Sequence, residues 1–203
     1  MKGCKKTGIM GGTFNPIHNG HLILANTAYE TLGLDEVLFM PSGNSYMKKN
    51  VIAAKKRIDM VHLAIKKYPW FVLSLVETNR QGYSYTSETL QELTKENPDT
   101  CYYFIMGADA LFQIEEWRQP ETIFSLAKIV CAVRDDYDMN SIRQKGQQLS
   151  RLGADIIYLD MPKIEISSTD IRAKVKKQRS IEEDVPVEVA EYIRQERLYY
   201  EED

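Results

Sequence analysis

The chain contains 203 residues, with 26 Lys and Arg side chains against 29 Asp and Glu, which gives a net charge of −3. Because domains commonly hold ~100–200 residues, this length predicts a single domain over residues 1–203, with a small helical C-terminal part over about 168–203. The near-neutral charge balance argues against binding to nucleic acid or a membrane surface through bulk charge. No segment reaches the ~18 apolar residues of a membrane helix and the first residues resemble no signal peptide, so we expect a cytoplasmic protein.

The three cysteines, Cys4, Cys101 and Cys131, lie far apart and form no CxxC pair. In a reducing cytoplasm this pattern predicts buried free thiols. Three scattered cysteines and three histidines also argue against a zinc site, so we expect no metal held by the protein itself.

Apolar runs of strand length alternate with segments of helical periodicity along the chain. The predicted strands cover residues 7–10, 36–40, 71–75, 101–106, 129–133 and 156–159. The predicted helices cover residues 21–32, 55–67, 87–95 and 141–152, and a last helix runs from Pro186 to about Leu198. This alternation implies right-handed crossovers, and we predict an α/β fold: a Rossmann-like, doubly wound and mainly parallel sheet of about five or six strands. Ligands of such sheets bind at the carboxyl ends of the strands.

The spacing of apolar residues also predicts which helix faces are buried. In the first helix the apolar face holds Leu22, Ala25, Ala28, Tyr29 and Leu32. In the second helix it holds Ile58, Val61, His62 and Ile65. Two basic stretches, residues 55–57 and residues 174–179, are typical of solvated helix faces.

The sequence GGTFNPIHNGH, residues 11–21, follows the first predicted strand and leads into a helix. Gly11 and Gly12 allow the backbone to approach a phosphate closely, and the helix start offers N–H groups and a positive dipole end. The motif matches neither the P-loop pattern nor the GxGxxG dinucleotide pattern. His18 and His21 flank the helix start, where imidazoles can donate hydrogen bonds to a phosphate whose charge grows during transfer.

A second motif, IEISSTDIR at residues 164–172, follows the last predicted strand. Ser167 and Asp170 fit a capping pattern at a helix start. Arg172 lies within the first turns, so its guanidinium can reach an anion bound there. A helix cap alone would explain the Ser-Thr-Asp stretch, but its occurrence together with the first motif favours an anion site.

Both motifs resemble the signatures of the nucleotidyltransferase superfamily of HxGH enzymes. These enzymes join a nucleoside triphosphate to a phosphorylated acceptor and release pyrophosphate. The resemblance implies that His18, His21 and Arg172 are the catalytic residues, which hold the triphosphate at the reacting phosphorus. The same three residues belong to the implied ATP site, whose other members are Gly11, Gly12, Thr13, Phe14, Gly107, Asp109, Ser167, Ser168 and Thr169.

The middle of the chain resembles the nicotinate-nucleotide adenylyltransferases through YSYTSETL at residues 83–90, CYYFIMGAD at 101–109 and Trp117 in EEWRQ. The resemblance covers nearly the whole chain and implies transfer of the adenylyl group of ATP to nicotinate mononucleotide in NAD biosynthesis. The implied acceptor contacts are Tyr85, Thr86, Asp109, Trp117, Arg134 and Lys48, with Lys49 as the alternative to Lys48. The chain departs from the family at SGNSYMKKN, residues 42–50, in place of a Pro-Pro-His-Lys stretch, and at residues 135–136, in place of Pro-Gly.

The resemblance implies a direct in-line displacement without a covalent intermediate, with Mg²⁺ carried mainly by the ATP phosphates. Phosphopantetheine adenylyltransferases share both signatures but are shorter and lack the middle segments, which makes them the second interpretation. A non-catalytic adenine-nucleotide sensor is the third. The sequence leaves open whether the protein is a homo-oligomer and whether it prefers nicotinate or nicotinamide. His62 has no companion motif, and we expect it to be structural.

Overall fold

A computed structural model of the chain describes residues 3–43, 51–134, 138–162 and 164–200. The strands are β1 (Lys5–Gly12), β2 (Glu36–Pro41), β3 (Phe71–Leu73), β4 (Thr100–Gly107), β5 (Ala127–Arg134) and β6 (Ile156–Met161). The helices are α1 (Asn19–Leu32), α2 (Ala54–Ile65), α3 (Thr86–Glu96), α4 (Ala108–Gln113), α5 (Pro120–Leu126), α6 (Met139–Ser150), α7 (Ser168–Lys176) and α8 (Val187–Gln195). A 3₁₀ turn covers Ile114–Glu116.

The strands form one sheet in the order β3-β2-β1-β4-β5-β6, and every neighbouring pair is parallel. This arrangement confirms the predicted α/β fold. The chain moves outward from β1 through β2 and β3, then crosses back to the other side of β1 to continue with β4. The direction of winding therefore reverses between β1 and β4, and a crevice opens at the carboxyl ends of these two strands.

Both faces of the sheet are covered by helices. Successive residues of β1 point to opposite faces, so Ile9 packs into one core and Met10 into the other. Helices α1, α2, α7 and α8 pack on the Met10 side, and helices α3 to α6 pack on the Ile9 side. The apolar strands are thus buried on two sides, as expected for a parallel sheet.

The buried face of α1 is confirmed, and that of α2 is confirmed at Val61 and Ile65 but wrong at His62. In α1, Leu22, Ala25 and Ala28 are buried. In α2 the buried residues are Arg57, Met60, Val61, Ala64 and Ile65, whereas His62 is exposed. Met60, Val61 and Ala64 lie at helical spacing and so share one buried face of the helix. Arg57 lies three residues before Met60, which places it on the same buried face. The prediction that residues 55–57 lie on a solvated face is therefore wrong for Arg57.

Helices α4 and α5 were not predicted, because each is too short to show a repeating apolar pattern. Both lie between β4 and β5, where they carry the chain across the Ile9 side of the sheet. Across the described ranges, no helix combines the length and apolar character that spanning a membrane requires.

Two of the three predicted free thiols form a disulfide instead. Cys4, just before β1, is bonded to Cys101 in β4, and their Cα atoms are 5.8 Å apart. The two residues are separated by 97 positions in sequence, but the parallel pairing of β1 with β4 brings the amino ends of the strands together. Cys131 is free and buried, as predicted, and burial raises the pKa of its thiol to about 12.

Loss of the Cys4–Cys101 bond should destabilise the fold, because the bond restricts an unfolded loop whose ends are 97 residues apart. In the chain-entropy description, cross-links of loops this long contribute about 5 kcal/mol. In the absence of reductant, we expect Cys4→Ser to have a lower melting temperature than the wild type. Dithiothreitol should lower the melting temperature of the wild type to the same level. The variant serves as its own control, since reductant should leave its melting temperature unchanged. Equal melting temperatures for oxidised and reduced wild type would contradict the expectation.

Candidate active site

Two adjoining cavities lie at the carboxyl ends of β1 and β4. The larger has a volume of about 560 Å³ and the smaller about 150 Å³. Their walls have His21, Leu24, Gly107 and Asp109 in common. Groups bound in the two cavities would therefore meet beside His21 and Asp109.

The larger cavity contains most of the residues assigned to the acceptor by resemblance. Tyr85 and Thr86 at the start of α3 lie in its wall, together with Trp117 and the 11–13 segment that ends β1. Trp117 packs edge-on against Phe104, with the ring centroids 6.0 Å apart. The cavity thus combines an indole ring with main-chain groups at a strand end.

Two further charged residues in this wall were not predicted. The Arg118 guanidinium lies 4.5 Å from the centroid of the Tyr85 ring, a cation–π contact. Glu77 accepts a hydrogen bond of 3.1 Å from the Thr89 hydroxyl. Burial raises the pKa of Glu77, while the bond to Thr89 and the charge of Arg80 act in the opposite direction.

The smaller cavity is lined by His18 and Gly20, by Met161 at the end of β6, and by Ile164 and Ile166 before α7. Gly20 lies so close to its neighbours that a Cβ there would come within 3.1 Å of the His18 Nδ1 atom and 3.3 Å of the Ile164 Cγ2 atom. A side chain at this position would displace the histidine or close the approach to α7. The close packing accounts for the glycine between the two histidines.

The two histidines form a stacked pair at the start of α1. His18 is the N-cap residue, and its ring lies 3.6 Å from that of His21, measured between centroids. The main-chain N–H of His18 donates a hydrogen bond of 3.2 Å to His21 Nδ1. Since Nδ1 must offer a lone pair, the ring proton of His21 lies on Nε2. Phe14 supports the ring from one edge at a centroid distance of 5.1 Å.

His18 is an uncharged imidazole at neutral pH. Only 8% of the residue is exposed. Burial lowers the pKa of His18 to about 4, and the charge of Asp184 opposes that shift without reversing it. Within the described part of the chain, its buried Nδ1 atom has no hydrogen-bond partner. His18 therefore adds a polar ring, and not a positive charge, to the site.

The second motif lies against the first through the start of α7. Ser167 caps this helix, because its hydroxyl accepts a 3.1 Å hydrogen bond from the N–H of Asp170. Ser168 donates from its hydroxyl to the carbonyl of Pro16 at 2.8 Å. Arg172 connects the motifs again: its Nη1 donates to the carbonyl of Asn15 at 2.8 Å. The starts of α1 and α7 therefore lie side by side.

Several predicted site residues lie behind the cavity walls. The Phe14 side chain is buried in the core, and its backbone has a positive φ of 50°. The Ser168 and Arg172 side chains bind main-chain carbonyls of the first motif, and the Thr169 hydroxyl accepts a 3.3 Å bond from Arg172 Nη2. These groups hold the segment that carries the histidines.

The remaining predicted acceptor residues lie at the edge of the described chain. Arg134 is the last residue of β5 and pairs with Met161 through its main chain. Lys48 and Lys49 lie outside the described residues, as does most of the divergent 42–50 stretch. Their roles stay predictions.

Two residues that hold the first motif were missed in the sequence. The guanidinium of Arg57 binds the carbonyl of Thr13 at 2.8 Å. The hydroxyl of Tyr199 donates to Asn15 Oδ1 at 2.9 Å. The spacing of Arg57 from Met60 could have indicated its burial. No local pattern could have indicated Tyr199, which lies 184 positions from its partner.

The cytidylyltransferase-like family model matches residues 9–174, a range that includes both motifs. A relative from Lachnoclostridium phytofermentans is 44% identical over 198 residues, which cover 96% of this chain and 99% of the relative. A relative from Clostridium tetani is 41% identical over the same length and coverage. Both bear the name "Probable nicotinate-nucleotide adenylyltransferase".

The fold also matches solved structures of low sequence identity. The nicotinic acid mononucleotide adenylyltransferase of Plasmodium falciparum complexed with NaAD gives a TM-score of 0.79 at 20% identity, over 97% of this chain and 98% of that one. The same enzyme complexed with APC gives 0.76 at 19% identity, with the same coverage. Together with the family model and the full-length relatives, these matches show that the chain belongs to the nicotinate-nucleotide adenylyltransferases of the cytidylyltransferase-like family.

Proposed function

We propose that the protein transfers the adenylyl group of ATP to nicotinate mononucleotide, which yields deamido-NAD and pyrophosphate. The observation that carries this proposal is the pair of cavities that adjoin at His21 and Asp109. The smaller cavity, beside the two histidines, takes part of the ATP. The larger cavity takes the acceptor, whose phosphate then lies near the shared wall. Full-length relatives that carry this enzyme name support the same assignment.

The chemistry requires alignment and charge stabilisation from the protein. An oxygen of the acceptor phosphate attacks the α-phosphorus of ATP, and a new P–O bond forms. The bond between the α-phosphorus and the oxygen that bridges it to the β-phosphorus breaks, and pyrophosphate leaves with that electron pair. Because the attacking oxygen is already anionic, no protein nucleophile or general base is needed. Fixed positions for both substrates supply much of the rate enhancement.

The residues of the first motif suit a phosphate whose negative charge grows. The main-chain N–H of His18 donates to Nδ1 of His21. The Nε2–H of His21 is therefore the hydrogen-bond donor of this ring, and it can donate to a phosphate oxygen. Arg172 supplies a permanent positive charge beside the 15–16 segment. The start of α1 adds the positive end of a 14-residue helix. We assign to these three groups the stabilisation of the α-phosphorus transition state and of the leaving pyrophosphate. Arg172 acts through its charge, because its guanidinium binds the Asn15 carbonyl and the Thr169 hydroxyl behind the cavity wall.

We assign Mg²⁺ to the triphosphate of ATP. The groups at the histidine pair and at the start of α7 are mostly imidazoles, hydroxyls and a guanidinium, which bind phosphate oxygens well and Mg²⁺ poorly. The carboxylate at the start of α7, that of Asp170, accepts a 2.6 Å hydrogen bond from the Ser167 hydroxyl. This donor set fits a nucleotide that arrives with its own ion, held by phosphate oxygens and water. The ion supplies charge neutralisation at the phosphates, and the residues named above orient them.

The larger cavity supports nicotinate mononucleotide as the acceptor. Trp117 offers an indole face on which a pyridine ring can stack, an interaction of about 1–3 kcal/mol in related stacking systems. Arg118, held against Tyr85, places a positive charge in the same wall. A cation there favours the carboxylate of nicotinate over the uncharged amide of nicotinamide.

The direct test is pyrophosphate release from ATP and Mg²⁺ with three acceptors in separate reactions. We expect release with nicotinate mononucleotide, less with nicotinamide mononucleotide because the amide cannot pair with Arg118, and none with phosphopantetheine. Release with phosphopantetheine alone would identify the other adenylyltransferase. Binding of ATP without release in any reaction would identify an adenine-nucleotide sensor.

Replacement of His21 should impair turnover while the fold persists. We expect His21→Ala to lower kcat by about 10²–10³-fold, as when one donor to a developing oxyanion is removed. His62→Ala is the matched control, because His62 is an exposed histidine of α2, and its kcat should equal that of the wild type. Circular dichroism and the melting temperature check that both variants fold. Near-normal turnover of His21→Ala would remove this residue from the mechanism.

The lowered pKa of His18 makes stability depend on pH in one direction. The unfolded chain takes up a proton on this ring near its ordinary pKa of 6.5, whereas the folded protein takes it up only near 4. Stability is therefore full above pH 6.5 and falls as the pH drops towards 4. From about pH 7 to about pH 5 the expected loss from this one group is ~2 kcal/mol.

Urea unfolding at these two pH values measures the effect. In His18→Gln, whose side chain does not titrate, the loss of stability between the two pH values should be smaller by roughly that amount, ~2 kcal/mol. His62→Gln, at the exposed histidine, should show the same loss as the wild type. A pH dependence that is identical in His18→Gln and wild type would show that His18 does not remain neutral on folding.

A further inference from the structure

A buried arginine lies behind the wall of the larger cavity. Arg57 of α2 is only 2% exposed. Its guanidinium donates to three main-chain carbonyls: Nη1 to Thr13 at 2.8 Å, Nη2 to Ser42 at 2.8 Å and Nε to Ile52 at 3.2 Å. Across the described residues it forms no ion pair with a carboxylate.

Two of these carbonyls belong to the segments by which the chain leaves β1 and β2. Thr13 comes directly after the last residue of β1, and Ser42 directly after the last residue of β2. A hydrogen bond of 2.8 Å from the Ser42 N–H to the Gly12 carbonyl joins the same two segments. The planar guanidinium of Arg57 therefore holds these two segments, the exits of β1 and β2, in a fixed position relative to each other.

The contact with Thr13 also orients a main-chain donor. In a trans peptide the N–H of the next residue points away from the carbonyl oxygen. Because the Thr13 carbonyl points to Arg57, the Phe14 N–H points to the opposite side of the segment. Thr13 and Ser42 line the larger cavity and Arg57 does not, so Arg57 acts on this wall from behind, through the main chain of these two residues.

The charge of Arg57 adds to this effect. Burial lowers the pKa of its guanidinium, and the group still remains charged because its ordinary pKa is so high. Three carbonyl dipoles solvate the charge but do not cancel it. A positive charge behind the strand exits attracts an anion in the cavity more strongly than an exposed lysine does, since less water screens it.

We propose that Arg57 is a positioning residue for the phosphorylated acceptor, which it serves by fixing the exits of β1 and β2 in the wall of the larger cavity. The proposal rests on the proposed function, because it takes the larger cavity as the acceptor site. Arg57 does not contact the substrate. Its two cavity-facing partners, Thr13 and Ser42, line the larger cavity and are absent from the wall of the smaller one, so its effect should fall on the acceptor more than on ATP.

The test compares Arg57→Lys and Arg57→Met with the wild type. Lysine keeps the charge but cannot bridge two carbonyls in one plane, whereas methionine keeps only an unbranched apolar stem and loses both the charge and the hydrogen bonds. We expect the KM for nicotinate mononucleotide to rise about tenfold in Arg57→Lys, the effect of ~1.4 kcal/mol, and further in Arg57→Met. The KM for ATP should stay within about twofold of wild type in Arg57→Lys, a change of only ~0.4 kcal/mol.

Lys56→Met is the matched control. Lys56 precedes Arg57 on the same helix, forms an ion pair with Glu196 and lines neither cavity. Its loss removes one positive charge from α2, and both KM values should remain those of the wild type. A change in Lys56→Met as large as that in Arg57→Lys would assign the effect to the general charge of the helix and overturn the proposal.

Structural damage is separable from positioning because KM does not depend on how much of the enzyme is folded. Calorimetric titration of folded Arg57→Lys with nicotinate mononucleotide alone should show the same weakening of about tenfold. Equal changes in the two KM values, or unchanged KM values with a lower yield of folded enzyme, would overturn the proposal. A wild type that releases no pyrophosphate with nicotinate mononucleotide would instead refute the proposed function, which distinguishes the two failures.

Discussion

The site depends on hydrogen bonds that side chains donate to the main-chain carbonyls of the 13–16 segment. This segment leaves the central strand β1 and has no strand partner of its own, so its carbonyls need donors from elsewhere. Helices α2 and α7 provide them, through Arg57 to Thr13, Arg172 to Asn15 and Ser168 to Pro16. With these oxygens held on the far side, the helix start and its two imidazoles are presented to the cavities. The residues that touch a ligand and the residues that hold the segment are thus largely different sets.

The sequence predicted the fold and the first motif well because both depend on local patterns. The apolar runs located the six strands, and the glycines and histidines of residues 11–21 located the strand exit and the start of α1. The pairing of Cys4 with Cys101 could not be predicted, since it arises from the neighbourhood of β1 and β4. Tyr199 was missed for the same reason. Arg57 was misplaced because a basic run was taken as solvated, although Met60 and Val61 at helical spacing indicated the buried face.

Local charge at this site differs from the charge of the whole chain. The protein carries a net charge of −3, and the larger cavity includes the carboxyl groups of Glu77 and Asp109. Positive potential comes instead from fixed sources: one guanidinium behind the strand exits, another at the start of α7, and the helix dipole of α1. The stacked histidines are arranged as hydrogen-bonding rings, and His18 contributes no charge at neutral pH. An anion site can therefore exist on an acidic protein when buried and half-buried guanidinium groups and a helix dipole supply part of its positive potential.

The contact between Asn15 and Tyr199 spans 184 positions of the chain, and this distance has a consequence for biosynthesis. The strand β1 and its exit leave the ribosome early, but α7 and the Tyr199 segment follow on the order of ten seconds later at usual elongation rates. Until then the carbonyls of Asn15 and Pro16, which residues of α7 bind in the folded protein, must remain hydrated. A nascent chain can thus assemble much of its sheet before it can bind a nucleotide in the final geometry. Formation of the nucleotide site therefore has to wait for the synthesis of α7 and of the Tyr199 segment.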